Sequence, residues 1–374
     1  MSVRTQLTLD SDLFDIGELL KQKLEEALKK VGRVNVVIAG RSGVGKSTLI
    51  NEVFQGRLAT TGQGRPVTTE IREYTKEGVP LTIFDTRGLE LDRYAETLQQ
   101  LEELIVSRGR DADPMNHAHV AWLCISEDSR RVEEGESKVA DMFSRHGVPV
   151  IAVITKVRSD NGFRAEVQRL LPTARNVARV RALGDQDDEG NLIKPKGLDD
   201  LVMATSEVLP EGQRTALAAA QRVSLDLKKT RAHVVVMGAA ATAAAIGAAP
   251  IPFSDAVLLV PVQVGMLASI SAVFGLPVSK GFLSTLLGSA VTALGATFAG
   301  RAIVGGILKL LPALGWVAGG AISAATAAAM TTAFGETYIA ALSALFAASP
   351  NELPGADDVA AAFKREITRR KAGS

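Results

Sequence analysis

The chain has 374 residues, with 42 basic against 41 acidic side chains and a formal charge of +1. That length suffices for two domains of roughly 100–200 residues each, and the balanced charge argues against a nucleic-acid partner or an acidic substrate. The one cysteine, Cys124, excludes an intramolecular disulfide and reads as a buried strand thiol. No charged start followed by an apolar run and a small-residue cleavage site is visible, so a reducing cytosol is the expected compartment for the first half.

Residues 12–31 place apolar side chains at helical spacing, from Leu13 to Val31, and predict an amphipathic helix outside the core sheet. The apolar run Val34–Ala39 predicts a strand that enters a Gly-rich turn. Strand-like runs follow at Ile71–Thr75, Leu81–Phe84, Val120–Ile125, Val148–Ile154 and Val177–Ala182. Helical patterns separate most of them, at Ser47–Phe54, Tyr94–Ser107, Val132–His146 and Leu198–Val208. Such alternation predicts an α/β domain with a mostly parallel sheet and helices on both faces. Asp185–Gly190 reads as an exposed loop, and Glu211–Arg231 as one long amphipathic helix leaving the domain.

Beyond it the composition changes sharply. Residues 232–349 hold only five charged side chains, Asp255, Lys280, Arg301, Lys309 and Glu336, in an Ala- and Gly-rich background. Four or five helical segments are expected there, followed by a polar, basic helix over Gly355–Lys371. The expected division is an N-terminal helix (1–32), a nucleotide-binding domain (33–210), a connecting helix (211–231), an all-α hydrophobic domain (232–349) and a tail helix (350–374).

The run Gly40-Arg41-Ser42-Gly43-Val44-Gly45-Lys46-Ser47, with Thr48 after it, has the make-up of a phosphate cradle. Glycines let consecutive backbone N–H groups aim at one anion, and the helix that starts there adds its positive end. Lys46 then reaches the β and γ phosphates, and the Ser47 hydroxyl suits Mg²⁺. About 40 residues on, Asp85-Thr86-Arg87-Gly88 closes an apolar strand. Its Asp85 suits Mg²⁺, and the Gly88 N–H can approach a γ-phosphate. Between the two lies the Gly- and Thr-rich segment Thr60–Thr69, in which Thr68, or Thr69 as second choice, could close onto Mg²⁺ and the γ-phosphate. Lys46, Thr68 and Gly88 are therefore the expected catalytic set. Ser47, Thr68 and Asp85 are the expected metal set. His117 and His119 read as polar strand-edge residues rather than metal ligands.

GRSGVGKS, PVTT, DTRG and ITK, in this order and spacing, resemble the first four boxes of translation-factor-class GTPases, which include Era-like and dynamin-like proteins and septins. The resemblance spans roughly residues 33–208. It implies bound GTP or GDP with Mg²⁺, base contacts from Thr155 and Lys156, and a fifth box at Arg181-Ala182. Where the family has the acid that reads guanine, this chain has Arg158, which offers no acceptor; Asp160 could substitute if the loop bulges. Adenine or a relaxed preference therefore stays open. Gly43 stands where potassium-activated relatives carry Asn, so potassium activation is not expected. Leu89 occupies the place of the Ras-type water-orienting Gln, and relatives with a hydrophobic residue there often act through paired G domains. Arg41 or Arg87 could serve as an arginine finger across such a homodimer, or be a plain surface arginine.

The hydrophobic half allows two readings. Residues 256–279, 282–300 and 311–335 are uncharged runs of 24, 19 and 25 residues, long enough to span about 30 Å of hydrocarbon. Alanine-rich helices of a soluble bundle fit as well, since Ala inserts weakly. Pro250–Asp255 and the residues after it resemble a hydrophobic domain of unknown function found behind bacterial GTPase domains and usually described as membrane-associated. The expectation is a bacterial GTPase at the cytoplasmic face of a membrane, contacting its surface or bilayer, with the cytoplasm as the alternative location. A nucleotide-gated scaffold with negligible turnover and a membrane-active effector regulated by its G domain are the competing functions.

Overall fold

In a computed structural model of the chain, the described residues are 16–55, 58, 65–66, 68, 71–86, 88–89, 94–186, 189–248, 255–293, 323–350 and 352–372. Helix α1 (Ile16–Val31) precedes strand β1 (Val34–Gly40) and the phosphate-loop helix α2 (Lys46–Val53). Then come β2 (Arg65–Pro66), β3 (Ile71–Lys76), β4 (Val79–Thr86), α3 (Tyr94–Gly109), β5 (Val120–Ser126), α4 (Glu134–Arg145), β6 (Val150–Thr155), α5 (Phe163–Leu170), β7 (Asn176–Arg179) and α6 (Leu198–Val208). A short hairpin, β8 (Asp185–Gln186) with β9 (Leu192–Ile193), interrupts the link from β7 to α6.

The seven-stranded sheet has the order β2-β3-β4-β1-β5-β6-β7. β4, β1, β5, β6 and β7 run parallel, and β2 and β3 are antiparallel at one edge. β1 and β5 are buried on both faces, which is why they read as continuous Val/Ile/Leu/Ala runs rather than alternating ones. Crossover helices α3, α4 and α5 cover one face, against Val37, Ala39, Phe84, Leu123 and Ala152.

The other face is covered by a second layer that continues into the C-terminal helices. These are α7 (Glu211–Ala220), α8 (Leu225–Ala248), α9 (Asp255–Val273), α10 (Lys280–Ala293), α11 (Ala324–Ala348) and α12 (Ala356–Ala372). One uninterrupted apolar cluster runs from Val36, Ile38, Ile83 and Trp122 in the sheet, through Ala216 and Leu217 of α7, to Leu267 of α9, Tyr338 of α11 and Phe363 of α12. Small residues allow the helices to approach closely. A Cβ on Gly335 of α11 would press into Val236 of α8 and Met266 of α9.

Several expectations need correction. The segment expected as one helix over 211–231 is two helices that meet at a corner, Gln221–Ser224, and α8 then runs unbroken through residue 232 to Ala248. The corner forms because Ala220 O accepts from the Gln55 N–H and the Arg222 N–H donates to Val53 O, at the end of α2, instead of continuing the helical ladder. Asp185–Gly190 is not simply a loop, since its first two residues pair with Leu192–Ile193. Helix α5 is absent from the expected helical patterns; it is entered through Gly162, its N-cap, at φ +79°. The tail helix α12 is polar on one face only: Val359, Phe363 and Ile367 are buried against the bundle, with the Phe363 ring 5.0 Å from that of Tyr338, while Lys364, Arg365, Arg369 and Arg370 are exposed. The run 256–279 ends as helix at Val273, because Gly275 turns the chain at φ +78°. Residues 294–300 and 311–322 of the other two runs lie outside the described residues.

Candidate nucleotide site

Strand β1 delivers the chain to the phosphate loop at the C-terminal end of the parallel sheet, where open α/β sheets place their ligands. Gly40 leaves the strand at φ +146°, and a Cβ there would lie 2.5 Å from the Cys124 carbonyl of β5. Gly43 and Gly45 are left-handed (φ +71° and +103°), and a Cβ on either would meet no atom within 4 Å. Glycine is required at these two for the backbone turn rather than for space. Gly45 is the N-cap of α2, and no side chain caps that helix, so its first N–H groups are offered to a ligand.

Lys46 folds back over the loop. Its Nζ donates to the carbonyls of Gly40 (2.7 Å) and Arg41 (3.2 Å). Asp85, beside Ile38 in the parallel β1–β4 ladder, brings a carboxylate to the same strand ends. Burial pushes its carboxyl up to about 6, against the opposing pull of Lys46 and Arg72. Its Oδ1 is buried and has no hydrogen-bond partner among the described residues. A carboxylate oxygen held dry and unsatisfied beside a loop that opens on an anion is what a hard divalent cation would complete. Ser47 is exposed at the start of α2, and the donor set Ser47 and Asp85 fits Mg²⁺.

The far end of the site is a cleft of about 290 Å³ between the loop after β6 and the loop after β7. Thr155 is a strut rather than an open contact, because its hydroxyl donates to Val44 O at 2.7 Å and ties the β6 end to the phosphate loop. Lys156 (φ +54°) and Arg158 line the cleft from one side, Arg181, Ala182 and Asp185 from the other. The floor of the β6 loop is Glu127, 3% exposed, which follows β5. Its carboxylate accepts from the N–H groups of Arg158 (2.5 Å) and Ser159 (3.1 Å) and from the Arg179 guanidinium (2.5 Å). Sequence reasoning passed over Glu127, and its position directly after an apolar strand end is the signal that could have marked it.

Comparison with known proteins places this geometry. Residues 35–156 match the family described as 50S ribosome-binding GTPase, and residues 211–367 match a domain of unknown function (DUF697). The first half is thus similar to P-loop GTPase domains. GTPase Der of Syntrophotalea carbinolica is 30% identical over 179 residues, covering 47% of this chain and 36% of that protein. GTPase Era of Lactobacillus delbrueckii subsp. bulgaricus is 26% identical over 181 residues, 47% of this chain and 54% of that protein. The chain thus spans between a third and about half of the length of these relatives. Toc33 of Arabidopsis thaliana, crystallised with Mg²⁺ and GMPPNP, aligns over 50% of this chain and 91% of its own at 19% identity and TM-score 0.34.

Within this half the structure brings together Gly40, Arg41, Ser42, Gly43, Val44, Gly45, Lys46, Ser47, Thr48 and Asp85 at the strand ends, with Thr155, Lys156, Arg181 and Ala182 around the cleft. Gly88 is near the loop, where the N–H of the following Leu89 reaches Gly40 O at 3.4 Å. Thr68 turns the other way, and its hydroxyl accepts from the Ile71 N–H at the start of β3 (3.1 Å). Thr69 and Arg87 lie outside the described residues. Arg41 is ion-paired with Glu133 at 3.3 Å, across from α4.

Asp160 is the clear departure. Its Oδ1 accepts from the Arg164 N–H (2.8 Å) in the first turn of α5 and lies 3.5 Å from Arg179 Nε, and it does not line the cleft. The loop does not bulge because Glu127 and Arg130 hold it, the latter donating to the carbonyls of Ser159 and Asp160. His119 is structural, since its Nδ1 accepts from the Asn35 N–H at 2.9 Å. No group of metal-binding side chains occurs among the described residues apart from the Ser47–Asp85 pair.

Proposed function

We propose that this chain binds and hydrolyses GTP with Mg²⁺ and passes its nucleotide state to the C-terminal helices. The observation that carries the reading is the unsatisfied, buried Asp85 Oδ1 beside a glycine loop whose Lys46 is folded over the phosphate position. Ser47 and Asp85 would hold the metal, which supplies charge neutralisation for the β and γ phosphates. Lys46 would exchange its two carbonyl partners for phosphate oxygens, and Thr68 would leave Ile71 to close on the γ-phosphate. Calorimetry with GTP, GDP and ATP, with and without Mg²⁺, followed by multiple-turnover hydrolysis, tests this. Metal-independent binding or equal turnover in Lys46→Ala would end it.

Leu89 favours slow turnover by the isolated chain. Its side chain is buried (5% exposed), so the position that carries a water-orienting Gln in Ras-type proteins offers no polar group here. The missing group would come from a second G domain or another partner. A nucleotide-gated scaffold is the second reading, and it wins if tight GTP binding comes with no measurable hydrolysis at any chain concentration.

The route to the helices starts where α2 ends. Phe54 forms a bridge with Gln221, the Gln55 N–H donates to Ala220 O, and its Nε2 donates to Ala219 O (3.1 Å). The Thr60–Thr69 segment therefore lies a few residues beyond Phe54 and Gln55, which are bonded to the α7–α8 corner. Helix α8 is, among the described residues, the helix long and apolar enough to cross a membrane. Its first turns are instead packed inside the protein, and its outer face exposes Val234 and Met237. We take this face to be a membrane-surface contact on the cytoplasmic side. Flotation with liposomes, lost in a Val234→Asp/Met237→Glu variant, is the expected result.

A further inference from the structure

The chain lacks the guanine-reading acid of the fourth box, and Asp160 is spent on capping α5. The cleft nevertheless contains an acid at that place. Arg158, which occupies the box position itself, is ion-paired through Nη2 with Asp185 Oδ2 at 2.8 Å. Both residues line the cleft, and their side chains are exposed to solvent (60% and 46%). Asp185 comes from the β8–β9 hairpin after the fifth box, and the N–H of Gln186 donates to its Oδ1 at 2.9 Å, fixing the carboxylate's orientation. The backbone of Arg158 is anchored independently by buried Glu127. Two supports from different parts of the chain thus converge on one donor–acceptor pair.

We infer that Asp185, not Asp160, reads the guanine base, accepting its N1 and 2-amino hydrogens while Arg158 donates to O6. The inference rests on the GTP reading above. The chemistry is complementary: guanine presents an acceptor (O6) next to two donors, and arginine and carboxylate are the side chains suited to those atoms. Asp128 also borders the cleft, but its carboxylate belongs to the turn after β5, where Ser126 Oγ donates to it at 3.4 Å, and among the described residues no cation pairs it with the fourth-box position.

Xanthine separates the candidates, because it replaces the 2-amino donor of guanine by a carbonyl acceptor. Affinities for GTP, XTP and ATP are measured by calorimetry on the full chain and on Asp185→Asn, Asp160→Asn, Asp128→Asn and Arg158→Gln. Asp185→Asn should lose about tenfold to a hundredfold in GTP affinity and gain XTP, since the amide now donates. Arg158→Gln should weaken GTP and XTP alike, because both bases keep O6. Asp160→Asn and Asp128→Asn should leave the GTP to XTP ratio within threefold of the parent. A folded Asp185→Asn, checked by its melting curve, with an unchanged ratio overturns the inference and leaves the GTP reading standing. So does a switch to XTP in either control variant. Wild-type chain that binds ATP as well as GTP overturns this inference and the guanine assignment together.

Discussion

The Arg222 guanidinium reaches back from the α7–α8 corner to Glu52, bonding its carboxylate at 2.9 Å and its carbonyl at 3.1 Å, and it also donates to Asn51 O at 3.0 Å. The last turn of the phosphate-loop helix is therefore capped by a cation from the second half of the chain. A positive charge at a helix C-terminus also opposes the helix dipole.

Arg222→Ala should remove this cap. The pair is only partly buried (24% and 32% exposed), so the expected loss is about 1–2 kcal/mol, read by denaturant unfolding. The more informative measurement is hydrogen exchange in α8 with GDP and with a non-hydrolysable GTP analogue. A nucleotide-dependent difference in the parent should shrink in the variant, and an undiminished difference would rule out this corner as the route.

Asp85→Asn keeps the shape of the side chain and removes its charge. Because Oδ1 has no partner to lose, the melting temperature should stay close to the parent's. Mg²⁺-dependent GTP turnover should fall by at least about a hundredfold. Retained turnover with retained metal dependence would refute the assignment of Asp85.

Glu127→Gln should be costly in stability and in base affinity. It leaves the largely buried Arg179 with only the longer 3.5 Å contact to Asp160, for which about 3 kcal/mol is expected. Adding Arg179→Met should recover part of both, because the amide oxygen then no longer has to face a guanidinium and can still accept from the Arg158 and Ser159 N–H groups. Thermal melts and GTP calorimetry on the two variants check both halves.

Lys228 supplies a pH signature. Fully buried on α8, its ammonium donates to Ala218 O (2.6 Å) and Phe274 O (3.2 Å), and desolvation pulls its pKa down to about 7 from 10.5. Between those values the unfolded chain binds a proton that the folded chain lacks, so stability rises with pH across that window. Relative to Lys228→Met, the parent should gain up to about 1 kcal/mol per pH unit from pH 7 to 9, measured by urea unfolding. A pH-independent difference would show that the lysine titrates normally.

The phosphate half of the site was legible because its chemistry is local: Gly40 to Ser47 and Asp85 are short motifs whose meaning depends on a strand before and a helix after. The base half was not, because it is assembled by long-range contacts. Arg158 looked like a missing acid, and only folding brings Asp185, 27 residues on, to its guanidinium. Glu127 was invisible for the same reason, as an isolated acid after a strand. In the second half, composition announced a separate apolar unit, but the break at Gln221–Ser224 has no proline or glycine to mark it. It is set by bonds to α2, more than 160 residues earlier.

The single apolar cluster that joins sheet and helices has a practical consequence for anyone dissecting this protein. A cut at residue 210 would strip α7 from the sheet and expose Val36, Ile38 and Ile83 to water, so the excised half should be insoluble rather than a convenient miniature. The intact chain should melt in one cooperative step, with both halves lost at the same temperature, as expected when there is no seam along which to come apart.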